Sequence, residues 1–256
     1  MSTISAVIIT KNEEANLPGC LESVRWADEI IVIDSDSTDR TVEIAKAFGA
    51  TVYQVEWQGF GHAKGFGMEK TASEWIFSID ADERITPDLA AEIREAVKSG
   101  KYSGYYLPRR TNFLGRWIRY SRWHPDYVLR LFQKSKGSFS SSLVHEKAAV
   151  DGPVGKLHNS ILHYSYPDIE TYFRKFDRYT ALGAEELHRN GKKFSAGILV
   201  LKSMAAFLRH YVTGAGFLDG VEGFLIASFS ALGVMTKYIK LRSLERNKES
   251  AKGSSH

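Results

Sequence analysis

The feature that most constrains this fold is a regular alternation over the first 100 residues. Short apolar, β-branched runs at 5–10, 29–34, 51–55 and 75–80 are separated by stretches of helical spacing at 17–24, 38–48, 62–72 and 87–97. The runs are apolar on successive residues rather than on alternate ones. This predicts strands buried on both faces, hence a mainly parallel α/β sheet covered by helices on each side. The glycines at 61, 65 and 67 weaken the third helix. The fourth has Pro87 in its first turn and Gly100 beyond its end. Ligands of such sheets sit beyond the carboxyl ends of the strands, where Thr10, Asp34 and Asp80 fall.

The rest of the chain is different. Residues 104–109 and 127–132 read as strands around a loop holding Trp117, Tyr120, Trp123 and several arginines. From Pro167 the pattern turns helical, with Ile169, Tyr172, Phe173, Phe176 and Tyr179 on one stripe. Two parts are expected: a catalytic domain over 1–166 and a helical extension over 167–252.

Charge is segregated along the chain. The net charge of +4 divides into −9 over residues 1–100, +8 over 101–166 and +5 over 167–256. Acidic clusters suit divalent metal, and basic surfaces suit phosphates or anionic lipid. With 43% hydrophobic and 25% charged residues, the composition is that of a globular protein. The single cysteine, Cys20, excludes an internal disulfide framework and a multi-cysteine zinc site. The segment MSTISAVIITKNEE lacks a basic n-region, so no secretory leader is expected.

Three strand ends carry candidate chemistry. Asp80-Ala81-Asp82-Glu83 places two carboxylates at i and i+2 where a strand breaks, an oxygen set suited to Mg²⁺ or Mn²⁺. The plainer reading is a solvated turn ahead of the Pro87 helix. Thr10-Lys11-Asn12-Glu13 and Asp34-Ser35-Asp36-Ser37-Thr38-Asp39 follow the first two strands. Their carboxylates can accept from a nucleobase N–H or a ribose hydroxyl, while Ser, Thr and Asp also favour caps and turns. GxGxxG and GxxxxGK[ST] are both absent, which disfavours a dehydrogenase-type dinucleotide site and a P-loop.

The blocks AVIITKNEEANLPGCLESV, EIIVIDSDSTDRTVEIAKAFGA and AKGFGMEKTASEWIFSIDADE resemble, in order and spacing, the N-terminal half of family-two glycosyltransferases with the GT-A fold. PDYVLRLFQK followed by LVHEK resembles the branch containing lipopolysaccharide-core β-glucosyltransferases. The resemblance implies inverting transfer of a sugar from a nucleotide-sugar, usually a UDP-sugar, with Mg²⁺ or Mn²⁺ at the DxD. It implies that Thr10 and Glu13 line the nucleoside pocket and that Asp34 contacts base or ribose. Lys64 matches a basic residue that contacts the nucleotide. Asp80 and Asp82 match the DxD that holds ribose and metal. One departure is Ser35, where many relatives carry a second acid after Asp34.

Inversion needs a base on the far side of the sugar. The basic middle segment offers Asp126, Glu146 and Asp151. The resemblance around LVHE favours Glu146, with Asp126 second, and leaves His145 as a metal ligand, a phosphate contact or a structural residue. Residues 223–236 form an uncharged run flanked by Arg209, Lys237, Lys240 and Arg242. Fourteen residues are short for a span, so a peripheral segment on the anionic cytoplasmic face of an inner membrane is expected. Packing on the catalytic domain, or across a homo-oligomer, is the other reading of that run. The expected partners are a nucleotide-sugar donor, a lipid-linked glycan acceptor and an anionic membrane surface, with no nucleic acid. Two rivals stand beside this: a metal-dependent phosphatase using Asp80 as nucleophile, and a non-catalytic sugar-nucleotide or membrane-binding protein.

Overall fold

The computed structural model describes residues 2–139 and 148–253. The chain divides into two compact units, Met1–Thr111 with Pro125–Ser165 and Asn112–His124 with Tyr166–His256.

The first unit is built on β1 (Ile4–Thr10), β2 (Glu29–Asp34), β3 (Thr51–Gln54) and β4 (Trp75–Asp80), ordered β3-β2-β1-β4 and all parallel. The connecting helices are α1 (Leu17–Ser23), α2 (Thr41–Ala47) and α3 (Phe60–Lys70), with α4 (Pro87–Ser99) beyond β5 (Glu83–Arg84). All seven residues of β1 are buried. Ala6 and Ile8 pack on one face with Leu17, Leu21, Leu89 and Ile93. Val7 and Ile9 pack on the other with Ala63, Ile33 and Phe132. That two-sided burial explains the continuous apolar runs, and each fully buried Ile or Val contributes about 1.5–3 kcal/mol.

One glycine of α3, Gly67, has a packing reason. A Cβ on Gly67 would lie 2.5 Å from Val7 Cγ1 and 2.9 Å from Ile33 Cγ1, so the helix backbone lies directly on the sheet. α4 is capped by Thr86, whose Oγ1 accepts from Leu89 N at 3.2 Å, and ends at Gly100 in the left-handed region.

The sheet continues with antiparallel strands. β6 (Gly104–Phe113) runs into β7 (Arg116–Trp117), and β8 (Asp126–Gln133) lies between β4 and β6. β9 (Gly137–Phe139) and β10 (Ala148–Val150) form a separate antiparallel pair. β11 (Val154–Lys156) pairs with β6, and β12 (Ile161–Tyr166) with β5. The whole sheet is therefore mixed, its parallel part carrying the four strands read from the alternation. Cys20 is buried against it, and burial pushes its thiol pKa up, leaving it inert.

The second unit holds α5 (Ile169–Arg189), α6 (Ala196–Leu208) and α7 (Gly220–Gly253), with a π-helical turn at Arg209–Thr213 and a 3₁₀ turn at Gly216–Asp219. Phe113, Ile118, Tyr172 and Ile226 form its core, so the loop after β6 packs with the helices. Asp219, 2% exposed, accepts from Arg119 N, Tyr120 N and Ser121 Oγ. His210 Nδ1 donates to Ser121 O at 2.8 Å. These bonds hold Ser121 and Arg122 in the left-handed region, which is costly for non-glycine residues.

The apolar run read at 223–236 lies inside α7. The helical segment Gly216–Asn247 is the one among the described residues long and apolar enough to cross a membrane, and only 22% of its apolar window is buried.

Candidate active site

Strand register brings the first three expected residues together. Thr10 pairs with Asp34 between β1 and β2, and Ile9 pairs with Asp80 between β1 and β4. Thr10 Oγ1 donates to Asp34 Oδ1 at 2.9 Å. Asp34 is fully buried and also accepts from Ser37 N at 3.0 Å and Ser37 Oγ at 2.5 Å. Asp34 therefore caps its own turn, and Thr10 and Ser37 fix the orientation of its carboxylate. The two loops are knitted further: Asn12 N donates to Ser37 Oγ, Thr38 N to Asn12 Oδ1, and Glu13 N to Thr41 Oγ1. Glu13 Oε2 accepts from Asn16 Nδ2 at 2.9 Å.

Asp80 stands at the end of β4 with its side chain 27% exposed. Lys64 Nζ, from α3, lies 3.0 Å from its Oδ1, and Arg130 Nη2, from β8, donates to its Oδ2. Burial alone would raise the Asp80 pKa, but Arg130 and Lys64 hold it well below the usual carboxylate range. Arg130 continues to Glu83 Oε1 at 2.8 Å, and Glu83 Oε2 accepts from Asp80 N at 3.0 Å. Arg109 Nη1 lies 3.5 Å from Glu83, and its Nε and Nη2 both donate to Asp126 Oδ2, at 3.0 and 2.6 Å. Lys64, Asp80, Arg130, Glu83, Arg109 and Asp126 thus form one chain of alternating charge. Arg130 and Glu83 are 6% and 0% exposed, so this is a buried framework in which every charge has its opposite.

Asp82, two residues on from Asp80, has a histidine beside it. Its Oδ2 is 3.3 Å from His163 Nε2 of β12, with the side chains 16% and 13% exposed. Thr111 Oγ1 lies 3.5 Å from the other ring nitrogen. A carboxylate oxygen beside an imidazole nitrogen suits Mn²⁺ better than the oxygen-seeking Mg²⁺, and two cis donors around such an ion sit about 3 Å apart. The pair therefore fits a divalent ion that takes its remaining ligands from phosphate oxygens and water. Among the described residues no cluster of three or more His, Cys, Asp or Glu could hold a metal alone.

Glu146 and His145 lie outside the described residues. Asp126 is 43% exposed and engaged by Arg109. Glu83 and His163 were not singled out as site residues by sequence reasoning; Arg130, like Arg109 and Arg110, offers itself in the sequence as a contact for acceptor phosphates or as a plain surface arginine, but the structure buries it between Asp80 and Glu83. The signal of all three was present in outline, as a charged or imidazole side chain inside otherwise apolar strand runs (YVLRLF, ILHYSY) and an acid inside DADE.

Comparison with known proteins agrees with this architecture. Residues 5–149 match the family model for glycosyl transferase family 2. An uncharacterised glycosyltransferase of Rickettsia typhi is 31% identical over 257 residues, covering 95% of this chain and 88% of its own. The lipopolysaccharide core biosynthesis glycosyltransferase LpsC of Rhizobium meliloti is 30% identical over 237 residues, covering 90% and 88%. Among solved structures, TarS of S. aureus superposes over 97% of this chain and 92% of its own, with TM-score 0.50 and 13% identity, a likeness of fold. Strand order, site placement and these matches meet in one conclusion: the chain belongs to glycosyl transferase family 2 and is a glycosyltransferase with the GT-A fold.

Proposed function

We propose that the protein transfers a sugar, with inversion, from a UDP-sugar to a lipid-linked glycan such as lipopolysaccharide core. The observation that carries this is the row Thr10, Asp34 and Asp80 across three parallel strand ends, with Asp82 and His163 beside it. The relationship to LpsC supports the acceptor class.

In this reading Thr10, Glu13 and Asp34 shape the nucleoside pocket, and Lys64 and Asp80 orient ribose and phosphate. Asp82 and His163 would hold a divalent ion, which when bound offsets charge on the leaving diphosphate. Lys64 and Arg130 fix the Asp80 carboxylate, so the donor meets a preorganised wall rather than a mobile one. Glu146 takes the acceptor hydroxyl's proton, with Asp126 as second choice. A phosphatase with Asp80 as nucleophile is disfavoured on chemistry as well as family, since both its oxygens are committed to cations. The helical unit holds the enzyme peripherally at the cytoplasmic face of the inner membrane. The basis is the largely uncovered α7 and the exposed Leu201, Met204, Leu208, Phe217 and Val221.

The test is a donor screen by ligand-induced melting with and without Mn²⁺, followed by assay of UDP release against acceptor glycolipid. Stabilisation by one UDP-sugar, and UDP release that needs acceptor, is the expected result. Release of inorganic phosphate, or no binding of any nucleotide-sugar, would sink the reading.

A further inference from the structure

Within the helical unit, α6 and α7 pack together, and the π-helical turn Arg209–Thr213 and the 3₁₀ turn Gly216–Asp219 form the corner between them. Residues 119–122 close on that corner. Ser121 N donates to Gly214 O at 2.8 Å, and the Asp219 carboxylate accepts from Arg119 N and Tyr120 N. A Cβ on Gly214 would lie 2.7 Å from His210 O and 2.8 Å from Arg122 Cγ, so the π-helical turn and the Arg122 stem leave no room there. Ser121, Arg122 and Ala215 are all held in the left-handed region, at φ 58°, 58° and 50°. Backbone strain of this kind persists only where the surroundings fix it, and it collects at working surfaces.

This fixed corner turns apolar side chains to solvent. Val212, Phe217, Leu218 and Val221 are 54%, 53%, 50% and 68% exposed. A contiguous apolar patch of this kind marks a surface that another phase or molecule covers. The free charge around it is of one sign. Arg119, Arg122 and Arg209 are exposed, and their guanidinium groups make no hydrogen bond or ion pair among the described residues. Residues 116–124 and 209–222 hold two acids, and both are committed: Asp219, 2% exposed, to the backbone amides, and Glu222 to Arg116 at 3.8 Å.

We propose that this corner is the wedge by which the helical unit enters a membrane, with Val212, Phe217, Leu218 and Val221 among the acyl chains and the three arginines on the phosphates of an anionic leaflet. It rests on the peripheral membrane reading and adds the place of insertion and the headgroup chemistry. An apolar centre flanked by free cations matches the outer layer of such a leaflet, where an inserted face sinks about 5–10 Å and arginine stems reach back to the phosphates. Guanidinium groups suit those phosphates because they can engage two oxygens at once. A second copy of the chain fits less well. A two-fold interface places like patches together and would set arginine against arginine with no free acid between them.

The chain's single cysteine makes the test direct. Cys20 is buried and its thiol inert, so Leu218→Cys takes a polarity-sensitive fluorophore at that residue alone. With vesicles of phosphatidylcholine and phosphatidylglycerol, its emission should brighten and move to shorter wavelength. A label at Glu95→Cys, on α4 where the side chain is 76% exposed, should not change. Arg119→Gln with Arg122→Gln should lower partitioning into these vesicles about tenfold or more at an unchanged urea midpoint, and Arg119→Lys with Arg122→Lys should retain it. A full chain that floats with the vesicles while the label at 218 stays in water would overturn the wedge and leave the peripheral reading standing. A full chain that ignores anionic vesicles would overturn both. Equal partitioning of the glutamine variant would overturn the headgroup contact, and a label at 95 that responds like the one at 218 would reduce the binding to general adsorption. A label at 218 already shielded without vesicles, in step with dimer formation in sedimentation, would assign the corner to a second copy instead.

Discussion

Asp80 is held from two sides by Lys64 and Arg130, while Asp82, two residues on, faces His163. The i, i+2 spacing that reads as a pair in the sequence therefore becomes two environments. Asp82→Asn keeps the shape and removes the charge a divalent ion needs. It should fold normally and lose at least about 10²-fold in kcat, seen as UDP release with Mn²⁺ in excess. His163→Ala should instead raise the half-saturating Mn²⁺ concentration about 10- to 100-fold, and an unchanged Mn²⁺ dependence would remove His163 from the metal site. For the proton acceptor, Glu146→Gln should retain donor binding and lose about 10²- to 10⁴-fold in transfer. Near-normal transfer in that variant, with Asp126→Asn inactive, would move the role to Asp126. Thr10, Asp34 and Asp80 were legible at strand ends because the apolar runs stop at those residues. The places of Arg130 beside Asp80 and of His163 beside Asp82 were not, because both residues reach the site from antiparallel strands whose register is decided by long-range pairing.

Elements show the same division. β1, β2 and β4 are buried on both faces, and continuous apolar runs announce such strands. α4 was legible from Pro87 and Gly100, which the structure uses at its two ends. The α3 glycines weakened a helix that does form, from Phe60 to Lys70; Gly67 among them answers to the surface of the sheet rather than to helix propensity. Gly67→Ala should therefore destabilise the first unit by about 1–3 kcal/mol despite alanine's better propensity, measured as a lower urea midpoint. A stabilised variant would mean that α3 can lift off β1 and β2. The short strands β7, β9, β10 and β11 have two or three residues each, too few for any periodicity to appear. The packing of residues 112–124 with the C-terminal helices rests on the cluster of Phe113, Ile118, Tyr172 and Ile226 and on Asp219, about a hundred residues from the groups it holds, and no local pattern can signal either.

At the scale of the whole molecule, the segregation of charge has two consequences. The first is acid sensitivity. Asp80 titrates below its ordinary value of 3.8 in the folded chain, so its contribution is fully present above that pH and is lost as pH falls through the lowered value. Stability of wild-type protein should drop below about pH 4, and Asp80→Asn should show a shallower drop in urea midpoints over the same range. The second is where the protein resides. The helical part carries net charge +5 and exposes Leu201, Met204, Leu208 and Phe217, each at least half exposed. Apolar insertion supplies one attraction, and each Lys or Arg near an anionic surface adds about 1 kcal/mol. Neither anchors firmly alone, so binding should rise steeply with anionic lipid and fall with salt. In liposome flotation the full chain should float with anionic vesicles, while Leu201→Glu with Met204→Glu, both at the surface, should stay below at equal stability. Protein that ignores strongly anionic vesicles would mean that these helices cover one another in a homo-oligomer instead. Protein that resists both high salt and carbonate would mean that α7 crosses the bilayer rather than lying on it.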